Sequence, residues 1–357
     1  MVALITVRNM ASLRVLIALT ALTALVLTSG CASLGYYWQS VDGQMEILRL
    51  RQPISSVLAD PATSPELKSK LARALEIRDF ASRELKLPDN MSYRGYADVR
   101  RDFVVWNVFA AGEFSVEPRQ WCFPVAGCVG YRGYFAQGDA VAFAGEQRQQ
   151  GLDTYVGGVP AYSTLGWFDD PVLNTIIKYP DYELARLIFH ELAHQVAYAK
   201  NDSEFNESFA VAVEIEGVRR WAAARGDQKI RADFEQSQVR RGQFTDLVLK
   251  YRGELEILYR SGVAADAMRA RKAALFAAML EDYRQLKKAW GGYAGYDYFF
   301  SAVNNASLAS IAIYHALVPQ FQRLIARRNG DLALFYEDVK RLAALGKDER
   351  HNALADR

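Results

Sequence analysis

Leu187-Ile188-Phe189-His190-Glu191-Leu192-Ala193-His194-Gln195 organises the reading of this 357-residue chain. On a helix, residues four apart share a face, so His190 and His194 can aim at one metal ion. Glu191 follows the first of them and leans toward the open side of such an ion, where it can take a proton from bound water. Two surface histidines on an ordinary helix would need a coincidence, because the chain has only 4 histidines and two of them lie in this motif. Leu184, Leu187, Ile188 and Val196 supply apolar faces that bury the helix. Asp181 is placed to cap it, and Glu183 suits its positive first turn.

A catalytic zinc takes three protein ligands and keeps one position for water. The third ligand is expected downstream. His315 and His351 are distant in sequence, whereas Glu204, Glu207, Glu214 and Glu216 are near. Glu207 is the choice, within Asn206-Glu207-Ser208-Phe209-Ala210. Phe205, Phe209, Ala210 and Val213 surround it with a buried helical face, where a carboxylate is costly unless paired or bound to metal. Between His194 and Glu207 lie the twelve residues 195–206. They suffice to finish one helix, turn at Lys200-Asn201-Asp202 and return antiparallel. One zinc ion on His190, His194 and Glu207, with Glu191 as base, is the expected centre.

Composition bounds the rest. Hydrophobic residues make up 51% and charged residues 24%, which describes a globular chain and not a disordered one. A net charge of +2, no basic stripe and no glycine-rich phosphate loop argue against a nucleic-acid partner. Arg14 precedes an apolar run, Val15 to Leu27, in the pattern of an export signal. The run is too short for a comfortable membrane span of about 20 residues. Thr28-Ser29-Gly30-Cys31 then resembles the lipobox of bacterial lipoproteins, where the signal is cut before the cysteine and the cysteine is acylated. Met10 is an alternative start. Ala32, in place of Asp, implies outer-membrane sorting under that resemblance, with the protein facing the periplasm. The expected organisation is a signal peptide over 1–30, a lipid-anchored tether over 31–44 and one domain over 45–357. An ordinary cleaved signal or an uncleaved anchor is the alternative. Cys122 and Cys128 are the other cysteines, and in an oxidising compartment they suit a short-loop disulfide, with two buried free thiols as the alternative.

Within the domain, Ile47 to Ala59 reads as a helix cut by Pro53. Ser64-Pro65-Glu66 opens a stronger one: Ser64 caps, Pro65 suits the first helical position and Glu66 the positive end. Leu67, Leu71, Leu75, Phe80 and Leu85 recur near helical spacing, and Pro88 closes it. From Tyr93 to Tyr162, β-branched and aromatic residues punctuated by glycine predict short strands, with one helical stretch near Gly138 to Gln149. From Asp181 onward the pattern is helical, including Leu247 to Tyr259 and Ala264 to Trp290. The result is an α+β arrangement, β-containing over about 90–170 and helical over about 180–357.

His190-Glu-Leu-Ala-His194-Gln followed by Asn-Glu207-Ser-Phe-Ala resembles the gluzincin clan of zinc metallopeptidases, in particular the aminopeptidase-N type. The chain as a whole is most similar to a bacterial family of lipoprotein "predicted aminopeptidases". That likeness is carried by Trp121-Cys122-Phe123-Pro124…Cys128, Tyr131-Arg-Gly-Tyr134-Phe135, Ser163-Thr-Leu-Gly166-Trp167 and the metal-helix motif, over nearly all of the mature chain. The resemblance implies a zincin-like core with a small mixed β-sheet, one Zn2+, a peptide substrate and aminopeptidase activity at the cell envelope. The interval to Glu207 is shorter than in aminopeptidase N, and the exopeptidase GAMEN strand is missing. Endopeptidase action therefore stays open, as does a non-catalytic, metal-binding envelope lipoprotein. Val211 stands where thermolysin-like relatives carry an Asp, so another carboxylate must support the ligands; Glu214, on the same face, is the candidate.

The resemblance also implies a donor for the oxyanion of peptide hydrolysis. Tyr314, ahead of His315 on a helix with Leu308, Ile311 and Leu317 inward, is the candidate; a core or surface aromatic is the alternative. Tyr162 to Trp167 lies shortly before the metal helix, where such peptidases bind substrate backbone along a sheet edge; a plain strand leading into a turn at Asp169-Asp170-Pro171 is the alternative. Gly166 would let substrate backbone approach, and Trp167 would line a side-chain pocket. Asp169, Asp170 or Glu204 could meet a substrate amino terminus.

Overall fold

The computed structural model describes residues 35–355 apart from 124–126, 162–163, 165 and 316, with backbone alone at 312–315. The expected signal over 1–30 and the acylation site Cys31 lie outside the described residues. The chain divides into two units, 1–49 and 50–357. In the first, residues from 35 onward form a helix, α1 (35–50), in the stretch read as a tether.

The second unit holds all that follows. Pro53 interrupts the helix expected across 47–59, because it has no N–H to donate. It ends β1 (Gln52–Pro53), and α2 (Ile54–Ala59) starts behind it. Ser64 opens α3 (Pro65–Arg83): its hydroxyl accepts from Leu67 N at 3.2 Å, with Pro65 in the first turn. The strand region comprises β2 (Gly95–Ala97), β3 (Val105–Ala111), β4 (Trp121–Phe123), β5 (Gly127–Val129), β6 (Arg132–Tyr134), β7 (Asp153–Val159) and β8 (Val172–Leu173), with α4 (Gln137–Gln149) before β7 and α5 (Asn174–Ile177) after β8. Among the described residues these strands form three small sheets instead of one. β1-β2-β8 is mixed, β6-β3-β7 is antiparallel, and β4-β5 is a hairpin with Cys122 opposite Cys128. A disulfide joins that pair of cysteines.

The remainder is helical, so the chain is α+β: α6 (Asp181–His194), α7 (Ser203–Arg225), α8 (Gln228–Tyr259), α9 (Ala265–Ala289), α10 (Asp297–Ser301), α11 (Asn305–His315), α12 (Val318–Arg327), α13 (Leu332–Ala343) and α14 (Lys347–Ala355). α8 begins well before Leu247. Asp227 caps it, accepting from Ile230 N at 3.0 Å, and its first half is largely exposed, so no apolar stripe announces it. Among the described residues, no helix is long and apolar enough to cross a membrane.

α6 sits at the centre of the larger core. Every residue from Leu184 to His194 except Arg186 is buried, so the helix is wrapped on all sides and not on one stripe. α7 packs against it, and Phe205, Phe209, Phe321, Phe335 and Tyr336 fill the far side. Gly217 permits the close crossing: a Cβ there would lie 2.7 Å from the Phe189 ring and 2.8 Å from Leu85. A second, aromatic core holds α8 to α10, with Phe244, Tyr283 and Phe300 buried together.

Candidate metal centre

α6 does not begin as its sequence suggests. Pro180, not Asp181, occupies the cap position, and no side chain caps the helix. Asp181 turns instead to two cations on α3, Lys70 at 2.9 Å and Arg73 at 3.0 Å. An ion pair to a neighbouring element competed successfully with the local cap. The helix ends at His194, and the next residue, Gln195, is held from outside: Asn90 Nδ2 donates to its Oε1 at 2.7 Å, and its Nε2 donates to Ser92 Oγ at 3.2 Å. The loop carrying Asn90 and Ser92 is itself fastened to buried Arg78, which donates to the carbonyls of Pro88 (2.7 Å), Asn90 (3.0 Å) and Ser92 (2.8 Å).

The return from α6 to α7 is equally tied down. Asn201 takes φ 65, a turn conformation that Asn tolerates. Asp202 caps α7 through Phe205 N at 3.2 Å. Asn206 clamps the turn with both ends of its amide: it accepts from Ala199 N at 2.7 Å and donates to Ala199 O at 2.8 Å. The next residue, Glu207, is thereby aimed back at α6.

His190, His194 and Glu207 converge. His190 Nε2 lies 3.2 Å from His194 Nε2 and 3.3 Å from Glu207 Oε2, and His194 Nε2 lies 3.7 Å from that oxygen. Tetrahedral zinc with bonds of about 2.0–2.2 Å sets its ligand atoms about 3.3 Å apart, so the donor set fits such an ion. The three groups together form a possible metal site. His190 Nδ1 faces Glu214 Oε2 at 2.9 Å; a proton on that nitrogen leaves the Nε2 lone pair for the cluster. The surroundings favour positive charge. Burial opposes a proton on His190, yet hydrogen bonds to Glu207 and Glu214 raise its pKa. Burial lowers His194 to about 4, which keeps that ring a neutral donor.

Glu214 has no side-chain exposure and is held by two arginines. Arg186 reaches its Oε2 at 2.9 Å, and Arg241 of α8 reaches its Oε1 at 3.5 Å. The same arginines grip Glu183, at 2.7 and 3.3 Å. Burial would raise the Glu214 pKa, but Arg186 leads the charges that hold it down at about 2. Glu191 has the opposite balance. Burial pushes its carboxyl up to about 7, and the negative charges of Glu207, Asp170 and Glu214 add to the rise against His190.

The other candidates fall out unevenly. β7 ends at Val159, so Gly166 and Trp167 lie on a turn and not on the expected strand. Asp170 makes that turn by accepting from Thr164 N and Thr164 Oγ1, each at 2.9 Å. Gly166 has φ +82, and a Cβ there would sit 3.6 Å from Gln195, so the turn rests beside the end of α6. Trp167 is 75% exposed. Asp169 pairs with Arg51 at 3.4 Å, while Glu204 lies in the first turn of α7. Tyr314 and His315 fall in α11, which packs on α7, but their side chains lie outside the described residues. Sequence reasoning missed Arg186, Arg241 and Tyr198, whose hydroxyl pKa is raised by burial and by the Glu207 charge; it named Asp170 only for a substrate amino terminus and not for this turn. Spacing could have found Arg186, four residues before His190 on the same helix. Nothing local announces Arg241.

Across residues 35–354 the chain matches the model of the family described as "Putative aminopeptidase", and it belongs to that family. No curated protein and no solved structure matches it.

Proposed function

We propose that this aminopeptidase-family member is a zinc-dependent peptidase of the gluzincin type with a zincin-like core, anchored at the bacterial cell envelope through Cys31. One observation carries the catalytic reading: three donors stand at the separations of a tetrahedral site, with Glu191 buried beside them. His190, His194 and Glu207 would hold one Zn2+, which would supply a Lewis acid for the scissile carbonyl and for water near neutral pH. Glu191 takes the proton of the attacking water and hands it to the leaving amine. In the zinc-free protein burial holds this carboxyl up at about 7, and a zinc ion beside it would pull it down toward the ionised form that a base needs. Glu214 fixes the His190 tautomer, and Arg186 and Arg241 fix Glu214. Gly166 and Trp167, on the turn next to Gln195, would meet the substrate, and Tyr314 would donate to the developing oxyanion. Aminopeptidase specificity follows the family; the envelope location follows the apolar run and Cys31.

Metal analysis tests the centre: the purified protein should carry about one zinc per chain, lost in Glu207→Ala. Fluorogenic peptides with free or blocked amino termini test the chemistry, with Glu191→Gln as control. Cleavage of free-amine peptides alone identifies an aminopeptidase, and cleavage of blocked ones an endopeptidase. Equal signal from wild type and Glu191→Gln would sink the enzyme and favour a metal-binding lipoprotein.

A further inference from the structure

Helix α1 is apolar on two sides. At 100° per residue, Tyr37, Val41, Met45 and Trp38 fall within one arc of about 100°. All four are exposed, Trp38 to 74% and Val41 to 57%. Away from this arc, Gly43 and Ile47 are buried. Exposed Asp42 and Arg49 border it, and half-buried Glu46 lies farther round. Single exposed apolar side chains are ordinary on a protein surface, but four on one helical face that includes Trp and Tyr are not.

We propose that this face of α1 lies in the headgroup layer of a lipid bilayer, flat on the membrane, with Trp38 and Tyr37 as its interfacial anchors. The idea rests on the envelope anchoring proposed above, and three observations point to a bilayer. Trp and Tyr prefer the membrane interface, where an apolar ring body meets a polar tip. The apolar run ends at Leu27, and residues 28–34, seven in number, reach at most ~25 Å at full extension. Any membrane that takes up that run, or an acyl chain on Cys31, therefore lies within reach of the stripe. The charges along the helix, Asp42, Glu46 and Arg49, leave one net negative, so apolar insertion and not attraction to anionic lipid has to supply the contact. The family match starts at residue 35, so the helix lies within the matched region. Acylation alone gives a loose, rotating attachment, and a second contact at α1 would hold the domain in one orientation over the membrane.

Quenching of Trp38 fluorescence decides the matter. The full-length chain is reconstituted into phosphatidylcholine vesicles whose lipids carry a nitroxide either near the headgroup or deep in the acyl chain. Subtracting the emission of Trp38→Phe isolates Trp38. The expected result is a blue-shifted Trp38 signal, quenched at least ~2-fold more by the shallow label than by the deep one, as an interfacial helix requires. Val41→Gln with Met45→Gln should abolish the shift and the quenching while the protein still floats with the vesicles. A chain that floats but shows no quenching of Trp38 overturns the inference and leaves the anchor standing. A chain that does not float overturns the anchor and the inference together. Trp38 shielded as protein concentration rises, but indifferent to both labels, would assign the face to a second copy and overturn the bilayer.

Discussion

The α6–α7 hairpin holds two buried charged clusters, one on its helices and one at its turn, and they are built on opposite rules. At the turn, Asp202 meets Arg350 and His351 of α14: Arg350 Nη1 donates to Oδ2, and His351 Nε2 lies 2.9 Å from the same oxygen. Arg350 also donates from Nε and Nη2 to the carbonyls of Leu342 (3.1 Å), Ala343 (3.3 Å) and Leu345 (2.6 Å). That cluster is closed, and no lone pairs converge on a common point. On the helices, His190, His194 and Glu207 turn three donors toward one point, and Glu191 stands beside them with a pKa raised by burial. A satisfied cluster fastens the fold. A cluster whose donor atoms meet only one another at a common point is equipped for a cation and for proton transfer. The difference lies in how completely neighbours use each group, not in which residue types are present.

Breaking each cluster should give different symptoms. Glu191→Gln should cut peptide hydrolysis by about 10³-fold with zinc content unchanged, as expected for a general base, measured as kcat beside metal analysis. The same change should stabilise the zinc-free protein. The native pKa near 7 lies above the ordinary 4.5, so burying ionised Glu191 costs stability as pH rises from 4.5 to 7, and the cost persists above 7. Melting curves of zinc-free wild type and Glu191→Gln should therefore diverge more at pH 8 than at pH 5, by at most ~3 kcal/mol. A larger gap at pH 5 would contradict the burial account.

Arg350→Met should do the reverse. It strands Asp202 and should cost about 3–5 kcal/mol in denaturant unfolding. Zinc per folded chain should stay the same; a loss of metal in the folded fraction would show that the two clusters are not independent. The smallest effect should come from Glu214→Gln, which keeps the shape and removes the charge that Arg186 and His190 share. Zinc affinity, read by chelator competition, should fall about 10–100-fold. Glu214 adds stability above the ordinary carboxylate range, and this is lost as pH falls from 4.5 toward 2. Acid unfolding of Glu214→Gln should accordingly be shallower there than that of wild type.

Local chemistry made part of this molecule legible from its letters. The i, i+4 histidines, the adjacent glutamate, the Ser64 cap and the alternation of short strands are rules within a few residues. Glu207 was legible because an acid among Phe205, Phe209 and Ala210 is costly without a partner. The same local logic misplaced the α6 cap, because Asp181 had a better offer from Lys70 and Arg73 on another helix. It also put Gly166 and Trp167 on a strand, where they lie on a turn that Asp170 and Thr164 make.

The sequence by itself determined the face on which His190 and His194 meet, since helical geometry repeats every few residues and needs no distant partner. Tertiary structure alone decided what surrounds that face. Arg241 reaches Glu214 from 27 residues away in the chain, Asn90 grips Gln195 across 105, and Arg350 closes on Asp202 across 148. Such partners are chosen by packing of whole elements, which no local spacing encodes. The pKa values of Glu191 and Glu214 diverge for the same reason: both are buried glutamates, and only the folded chain brings arginines to one of them and not to the other.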